Sequence, residues 1–217
     1  IRPLQRPTSS IDIVLNDKVC SSTKTWNWQQ GSMLSWLGED CSSFIYNDFD
    51  GQKYVSKIVN TQTLRTIILD YPIYQVSSDV TFALSLNFAR LAKLRPDYGY
   101  FNIDFSNIKK IDRNDGIFRV DLENSTQKLI VSFQDLLELF PKPSMEGAWH
   151  KVNHIDIAPD NKRFMFLHRW LDNKGQKFSR LITADVNGSD LYVLADEDMV
   201  SHCAWKNSFE IIAWARK

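Results

Sequence analysis

Two histidines occupy comparable positions in two segments of the chain, and their residue type offers the clearest potential for chemistry. His154 precedes Ile157 by three residues, and His202 precedes Trp205 by three residues. Imidazoles that converge from neighbouring strands can bind a metal ion, an anion or a carboxylate, and a neutral imidazole can accept a proton. His154 and His202 are therefore predicted to be metal-binding and catalytic. The alternative is that each only hydrogen-bonds water or a loop carbonyl.

A long segment between two strand-like runs, residues 88–115, contains the second group of candidates. It carries Arg90, Arg95, Tyr98 and Tyr100. Arginine pairs with a carboxylate through two parallel hydrogen bonds, and aromatic rings pack on the apolar faces of sugars. We predict that these four residues bind a carboxylated sugar. The alternative is a solvated amphipathic lid.

The other two histidines, His150 and His168, are each isolated in the sequence. A single histidine in an apolar run is more often structural than catalytic. We interpret both as structural residues.

The segment 153–194 has the pattern of a four-stranded antiparallel unit. Its apolar runs are separated by the polar turn 159–162, an open loop at 171–178 and the dipeptide Asn187-Gly188. Asn-Gly between alternating apolar runs is a strong hairpin signal. Four short strands with regular turns are typical of one propeller blade.

The pattern recurs along the chain. The last residues before each first turn are Trp36, Val76, Ile157 and Trp205, at spacings of 40, 81 and 48 residues. Propeller repeats run to ~40–45 residues, and the middle interval is long because it includes the insertion. We predict an all-β fold, a β-propeller of four-stranded antiparallel blades, in one domain spanning 1–217. The predicted blades are 31–69, 74–132 with the insertion 88–115, 153–194, and a half blade at 200–217.

Three complete blades and a half blade leave open sheet edges, which propellers avoid. The chain is therefore predicted to be a partial propeller from a longer protein of about six to eight blades. The alternative is a four-blade ring closed by a strand at 10–15. Apolar residues at helical spacing also predict a short helix at 133–140.

Alternate connections of a four-stranded meander lie at opposite ends of the blade. One set of connections is short, whereas the other includes the long segments 26–31, 88–115, 133–152, 171–178 and 195–202. Long loops gathered at one end of a rigid scaffold often carry function. We call this end the elaborated face, and Gln30, in its first loop, is also predicted to bind ligand.

The charge balance argues against two classes of partner. The chain has 26 basic and 26 acidic residues, whereas binders of nucleic acid or anionic membranes usually carry a basic surplus. Neither partner is expected. Three cysteines without metal-ligand spacing predict free thiols in a reducing compartment. A cytoplasmic location is expected, with the periplasm left open because the sequence begins at Ile1.

Two motifs resemble the repeat of TolB-like propellers. The turn from Pro159 to Phe164 is similar to the Ser-Pro-Asp-Gly turn of that family, and the segment from Asp185 to Leu191 is similar to its Asp-x-Asn-Gly-Ser turn. The resemblance covers about residues 30–215 and implies the propeller fold.

A narrower resemblance is to the oligogalacturonate-lyase-like branch of these propellers and its uncharacterised bacterial relatives. It is carried by Asn153-His154, by the segment 166–170 that includes Arg169, and by the segment 200–202. Enzymes of that branch bind a divalent metal through histidines and a glutamine, and cleave uronic oligosaccharides by β-elimination. The resemblance implies manganese as a cofactor at His154 and His202, and Arg169 as a ligand-binding residue.

Two functions follow as hypotheses. In the first, the protein is a metal-assisted lyase, in which the metal acidifies the proton beside the carboxylate and His154 or His202 accepts that proton. In the second, it is a non-catalytic propeller that binds a sugar or a protein on the elaborated face. The expected partner is an oligosaccharide or a small acidic ligand, with a protein partner as the alternative.

Overall fold

The strands group into five antiparallel sheets in the computed structural model, which describes residues 9–216. Three sheets have four strands each, and two have two strands each. This architecture confirms the all-β prediction and the partial propeller of three complete blades and a half blade. Residues 1–8 and 217, at the ends of the predicted domain, lie outside the described residues.

The N-terminal half of the chain forms a hairpin and two blades. The hairpin consists of β1 (Ile11–Leu15) and β2 (Lys18–Thr23). Blade 1 consists of β3 (Ser35–Leu37), β4 (Ser43–Phe49), β5 (Tyr54–Asn60) and β6 (Thr66–Leu69). Blade 2 consists of β7 (Gln75–Val76), β8 (Phe82–Leu86), β9 (Gly116–Asp121) and β10 (Thr126–Ser132).

The C-terminal half forms one blade and a half. Blade 3 consists of β11 (Trp149–Ile157), β12 (Arg163–Leu171), β13 (Lys177–Asp185) and β14 (Tyr192–Ala195). Blade 4, the half blade, consists of β15 (Val200–Asn207) and β16 (Glu210–Ala215). Because β1 pairs with β2 and not with these strands, the four-blade ring closed by residues 10–15 is not the arrangement observed.

Two short helices leave the ends of blade 2. Helix α1 (Phe88–Leu94) begins the insertion, and the side chain of Asn87 caps it by accepting from the backbone N–H of Arg90. Helix α2 (Phe133–Glu138) confirms the predicted helix and begins with a capping box. No helix within residues 9–216 is long and apolar enough to cross a membrane.

Alternation along β12 explains how the blades pack. Phe164 and Phe166 are buried in the core that blade 3 shares with blade 2 and both helices. Met165 and Leu167 face the opposite way and pack with Val200 of blade 4. Successive strand residues point to opposite faces of a sheet, so one strand supplies two separate cores.

A residue with a left-handed backbone conformation recurs in or just before the first strand of three blades. Met33, His154 and His202 all have left-handed backbone conformations, with φ of 57°, 53° and 51°, and each lies three residues before its predicted anchor. Strand pairing shifts in register between Asn153 and Asp156 and between Ser201 and Cys203, as expected of β-bulges. The predicted equivalence therefore has a structural counterpart, although β11 begins at Trp149. The first strand of blade 3 therefore begins four residues before residue 153, where the predicted blade begins.

Candidate functional site

The two predicted histidines are close enough to influence each other electrostatically. Burial, followed by the positive charges of Arg169, His202 and Arg95, lowers the pKa of His154 to about 4. His154 is half-buried and His202 is exposed. His154 is thus neutral at pH 7, and its lone pair can accept a proton or bind a cation.

Gln30 is joined to this pair through Tyr74. Its Nε2 donates to Tyr74 Oη at 2.8 Å, and the backbone N–H of His154 donates to the same oxygen at 2.9 Å. The Gln30 Oε1 atom is buried, and no described residue donates a hydrogen bond to it. A buried acceptor without a donor costs about 1–3 kcal/mol, so this oxygen is suited to a water molecule or a ligand group.

The insertion places Arg95 and Tyr98 beside His154. The rings of Tyr98 and His154 meet edge-on, with centroids 5.5 Å apart. The guanidinium of Arg95 lies 5.2 Å from the centroid of the Tyr98 ring, and its Nε donates to Asp97 Oδ1 at 2.8 Å. These two predicted ligand-binding residues therefore share one region with the histidines.

The side chain of Arg90, by contrast, is buried in the protein interior. It is almost fully buried, and its Nε donates to Asp115 Oδ2 at 2.7 Å. Its terminal nitrogens donate to the carbonyl oxygens of Lys109, Lys110 and His150. Four of the five guanidinium N–H groups are therefore used inside the protein, and the structure gives Arg90 the role of fixing the insertion to blade 3.

Tyr100 is also an interior residue. Its ring stacks on Phe88 with centroids 4.3 Å apart, and its hydroxyl accepts a hydrogen bond from Asn47 Nδ2 at 3.1 Å. Gly99 allows the backbone before Tyr100 to pass close to α1, because a Cβ there would collide with the backbone of Ala92. Tyr100 therefore anchors the insertion and is separated from the surface by its own packing.

A cavity of about 250 Å³ lies between blades 3 and 4 on the elaborated face. Four cationic side chains contribute to its lining: Arg95 at the C-terminal end of α1, Lys151 of β11, Arg169 of β12 and Lys177 of β13. Its aromatic lining comes from Trp149, Trp170 and Phe178. We call it the cation cavity.

Strand register explains why these cations converge. Lys151 of β11 lies directly opposite Arg169 of β12, and Arg169 lies opposite Ser179 of β13. Directly opposed residues have Cβ atoms about 4.5–5.5 Å apart and project on the same face. Arg169 also follows Met165 and Leu167 in the alternation that points towards blade 4.

The positive charge in the cation cavity is compensated in part, because Arg95 pairs with Asp97 and Asp198 also lines the cavity. Burial, followed by the charges of Arg169, Arg95 and Lys177, lowers the pKa of Lys151 to about 8. Burial and Arg95 also lower the pKa of Arg169. Among residues 9–216, no carboxylate forms an ion pair with Lys151 or Arg169. Their side chains donate instead to Leu94 O at 3.3 Å and Ser179 Oγ at 3.3 Å, respectively.

Asn153 adds an unsatisfied amide on the same face of β11. It is fully buried, and neither its Nδ2 nor its Oδ1 has a hydrogen-bond partner among the described residues. Alternation places it on the face of Lys151 and Trp149, next to the bulge at His154. Buried polar groups normally have partners, so this amide marks a position where a water or ligand would be stabilised.

The donor set for a metal ion is incomplete. His154 and His202 provide two imidazoles, whereas a zinc-type site uses at least three protein ligands. No group of three or more His, Cys, Asp or Glu side chains within residues 9–216 is arranged to hold a metal. The residues present therefore do not fit a resident divalent metal, and we derive no chemical step through one.

The opposite face of blade 3 carries a buried polar network. Arg180 Nε donates to His168 Nδ1 at 3.1 Å, so the other nitrogen of His168 carries the proton and donates to His150 Nδ1 at 3.0 Å. His150 Nε2 then donates to Met145 O at 3.2 Å. Because arginine can only donate hydrogen bonds, this series of hydrogen bonds fixes the tautomer of each histidine and requires both imidazoles to be neutral. The two histidines are structural, as predicted, but they act as a pair.

Trp170 and Phe178, which also contribute to the lining of the cation cavity, project on the same face of the sheet as this network. Trp170 stacks on Phe178, with centroids 5.3 Å apart, and on His150 at 6.3 Å. The two histidines of the network therefore pack directly against Trp170.

Comparison with known proteins supports the fold and leaves the activity open. No family model matches the sequence, and no curated protein matches it. The chain is structurally similar to oligogalacturonate lyase from Vibrio parahaemolyticus, with a TM-score of 0.55 and 11% identity over 96% of this chain and 53% of that one. TolB from Acinetobacter baumannii gives a TM-score of 0.39 and 12% identity over 82% of this chain and 46% of that one.

The similarity to oligogalacturonate lyase supports a propeller fold for this chain. The chain spans about half the length of the structures it matches. Identity this low shows the architecture alone.

Sequence reasoning missed Lys151, Lys177 and Asn153 as site residues. The signal that could have found them is the pairing of β11 with β12, which requires β11 to begin at Trp149. With that start, Lys151 falls opposite the predicted residue Arg169, and the cation cavity follows.

Proposed function

We propose that the cation cavity binds the carboxylate and ring of a uronic acid unit in an oligosaccharide. The observation that carries this proposal is an aromatic-lined cavity with four cations, of which Lys151 and Arg169 have no pairing carboxylate among the described residues. Arg95 pairs with Asp97, and Asp198 is the one carboxylate among the described residues of the lining. A carboxylate would relieve this repulsion, and the Arg169 guanidinium can hold it through two hydrogen bonds. A sugar ring would pack on Trp149.

Catalysis by β-elimination is the finer form of this proposal. Cations around the bound carboxylate would stabilise the charge that develops when the adjacent C–H proton leaves. His154 lies outside the residues that line the cavity, within the electrostatic influence of Arg169 and Arg95. It is neutral at pH 7 because of its lowered pKa and is the proposed proton acceptor. The electron pair of the broken C–H bond forms the new C=C bond, and the glycosidic oxygen leaves and takes up a proton.

Binding without turnover is the second candidate, and the incomplete metal donor set favours it. In this case the cavity retains the oligosaccharide, and Arg95 contributes to its lining from the insertion. A divalent ion such as manganese would need ligands beyond His154 and His202. A protein ligand on the elaborated face would need to present an acidic side chain to the same cations.

The test is a calorimetric titration of the chain with trigalacturonate and, as a matched neutral ligand, a galactose trisaccharide. We expect trigalacturonate to bind and the neutral sugar to bind at least about tenfold more weakly, since a hydrogen bond to a charged group contributes about 1.5–3 kcal/mol. Arg169→Gln should remove most of this preference. Equal affinity for the two sugars would contradict the proposal.

Turnover is measured separately, by the ultraviolet absorbance of the unsaturated product with and without manganese. Product formation that His154→Gln abolishes would support the lyase. Binding without product under both conditions would support the non-catalytic form.

A further inference from the structure

Lys151 is the amine in this structure whose surroundings most resemble those of a reactive lysine. Its Nζ lies in the cation cavity and has one described hydrogen-bond partner, the carbonyl oxygen of Leu94 at 3.3 Å. Arg169 lies directly across the strand pair, and Arg95 and Lys177 complete the positive surroundings. An amine next to other cations in a partly apolar pocket is favoured in its neutral, nucleophilic form.

The contrast with Lys57 shows that this environment is particular. Lys57 Nζ pairs with Asp48 Oδ2 at 2.6 Å, which raises its pKa. The pKa of Lys151 is instead lowered to about 8. At pH 7 an amine with that pKa is neutral in on the order of a tenth of molecules, compared with less than about a thousandth for an ordinary lysine.

We propose that Lys151 is a nucleophilic lysine that forms an imine with small carbonyl compounds carrying a carboxylate, such as 2-oxo acids and aldehyde acids. The proposal rests on the carboxylate-binding part of the proposed function, because Arg169 and Arg95 hold the carboxylate while the carbonyl carbon faces Nζ. It does not require the ligand to be a sugar or the protein to be a lyase.

The reaction is a balanced condensation. The lone pair of Nζ forms a bond to the carbonyl carbon, and the carbonyl oxygen takes up two protons and leaves as water. The product is a C=N bond whose protonated form is cationic. The carboxylate of the bound compound stabilises this cation. The same carboxylate also offsets the repulsion among the cationic side chains of the cavity.

The test is reductive trapping of the full chain, followed by peptide mass spectrometry that quantifies every lysine. Glyoxylate is the probe, and cyanoborohydride supplies the hydride that converts the imine to a stable secondary amine. Glycolaldehyde is the matched neutral probe because it has the same aldehyde and lacks the carboxylate. We expect glyoxylate to label Lys151 at least about tenfold faster than Lys57, and the preference for glyoxylate over glycolaldehyde to be greater at Lys151 than at Lys57.

Two variants sharpen the result. Arg169→Gln should reduce the selectivity of Lys151 for glyoxylate over glycolaldehyde by about tenfold, because it removes the carboxylate partner. Lys57→Arg is the control and should leave the labelling of Lys151 unchanged. Labelling of Lys151 no faster than that of Lys57, or equal selectivity in the wild type and Arg169→Gln, would overturn the proposal.

Failure of this proposal and failure of the proposed function give different results. A chain that binds trigalacturonate but labels all lysines equally retains the sugar site and excludes the imine. A chain that labels Lys151 selectively but does not bind trigalacturonate retains the reactive lysine and excludes the sugar.

Discussion

Each face of the sheet formed by β11, β12 and β13 carries an arginine, and the two arginines differ in how many hydrogen bonds the protein makes to them. Towards blade 2, Arg180 is fully buried, and its nitrogens donate to His168 and to the carbonyl oxygens of Leu136, Leu139 and Phe140. Towards blade 4, Arg169 is half-buried beside a cavity and donates to one hydroxyl. The two arginines lie on neighbouring strands of the same sheet, where Arg169 is opposite Ser179 and is therefore one position from Arg180.

The difference separates structural charge from charge available to a ligand. Burying an ion is costly unless hydrogen bonds or an opposite charge compensate it. Around Arg180 the backbone of α2 and the two neutral histidines provide that compensation, so the charge fixes the fold. Around Arg169 the protein provides much less, so the remaining favourable interactions are available to an anion.

The largest expected effect comes from making one substitution on each face. Arg180→Met should destabilise the chain by about 4 kcal/mol, because it leaves buried carbonyl oxygens and His168 Nδ1 without a donor. Arg169→Met should leave stability unchanged or raise it by up to about 1 kcal/mol, because it removes repulsion from Lys151 and Arg95. Urea unfolding of both variants measures the difference. Equal destabilisation would show that Arg169 is structural after all.

Much of the fold was predictable because blade periodicity is local. The turn at Pro159-Asp160 and the hairpin at Asn187-Gly188 identify blade 3 directly, and the equivalence of His154 with His202 follows from counting residues before an anchor. These features depend on neighbours in sequence, which is the information that a single chain provides.

The site was less predictable because it depends on contacts between distant residues. Arg90 and Arg95 look alike in the sequence, yet Arg90 meets Asp115 and three backbone carbonyls in the interior while Arg95 reaches the cavity. Tyr98 and Tyr100 also differ, because Tyr98 contacts His154 whereas Tyr100 is fully buried. Residue type alone indicates what a side chain can bind, and the tertiary structure decides whether its polar atoms are already used.

A second, smaller effect concerns acid. The pKa of His150 is lowered to about 4 and that of His168 well below 6.5, mainly by burial in both cases. The unfolded chain therefore binds more protons than the folded chain below about pH 6.5, so stability is complete above that pH and is lost as pH falls towards 4. Urea midpoints between pH 7 and 5, above the range where most carboxylates titrate, should decline.

His154→Gln is the control for this decline, because the pKa of His154 is lowered as well. The variant should retain most of the acid sensitivity if the buried pair causes it. A stability that no longer changes between pH 7 and 5 in this variant would assign the effect to His154 instead.

Lys151 should show the third effect, at alkaline pH. Its folded pKa of about 8 lies below the ordinary value of 10.5, so the unfolded chain holds the extra proton between these values and stability rises with pH across that window. Lys151→Met should abolish this rise and stabilise the chain at pH 7. Lys57→Met, which removes a paired lysine, should not stabilise it. A wild-type chain whose stability is flat from pH 8 to 10 would contradict the uncompensated charge.

The smallest expected effect tests whether the histidine pair belongs to the cation cavity. The charges of Arg169 and His202 both contribute to the low pKa of His154, and Arg169 contributes more. A proton NMR titration of the His154 ring should therefore show its pKa rising in His202→Ala and rising further in Arg169→Gln, because each variant removes a positive neighbour. His202 is exposed, so its removal should change stability by less than about 0.5 kcal/mol.

If His202→Ala leaves the titration of His154 unchanged while Arg169→Gln shifts it, then His154 belongs to the cavity and His202 does not. If neither variant shifts it, the low pKa reflects burial alone, and His154 is a structural residue of the bulge in β11 in the same way that His150 and His168 are structural residues on the other face.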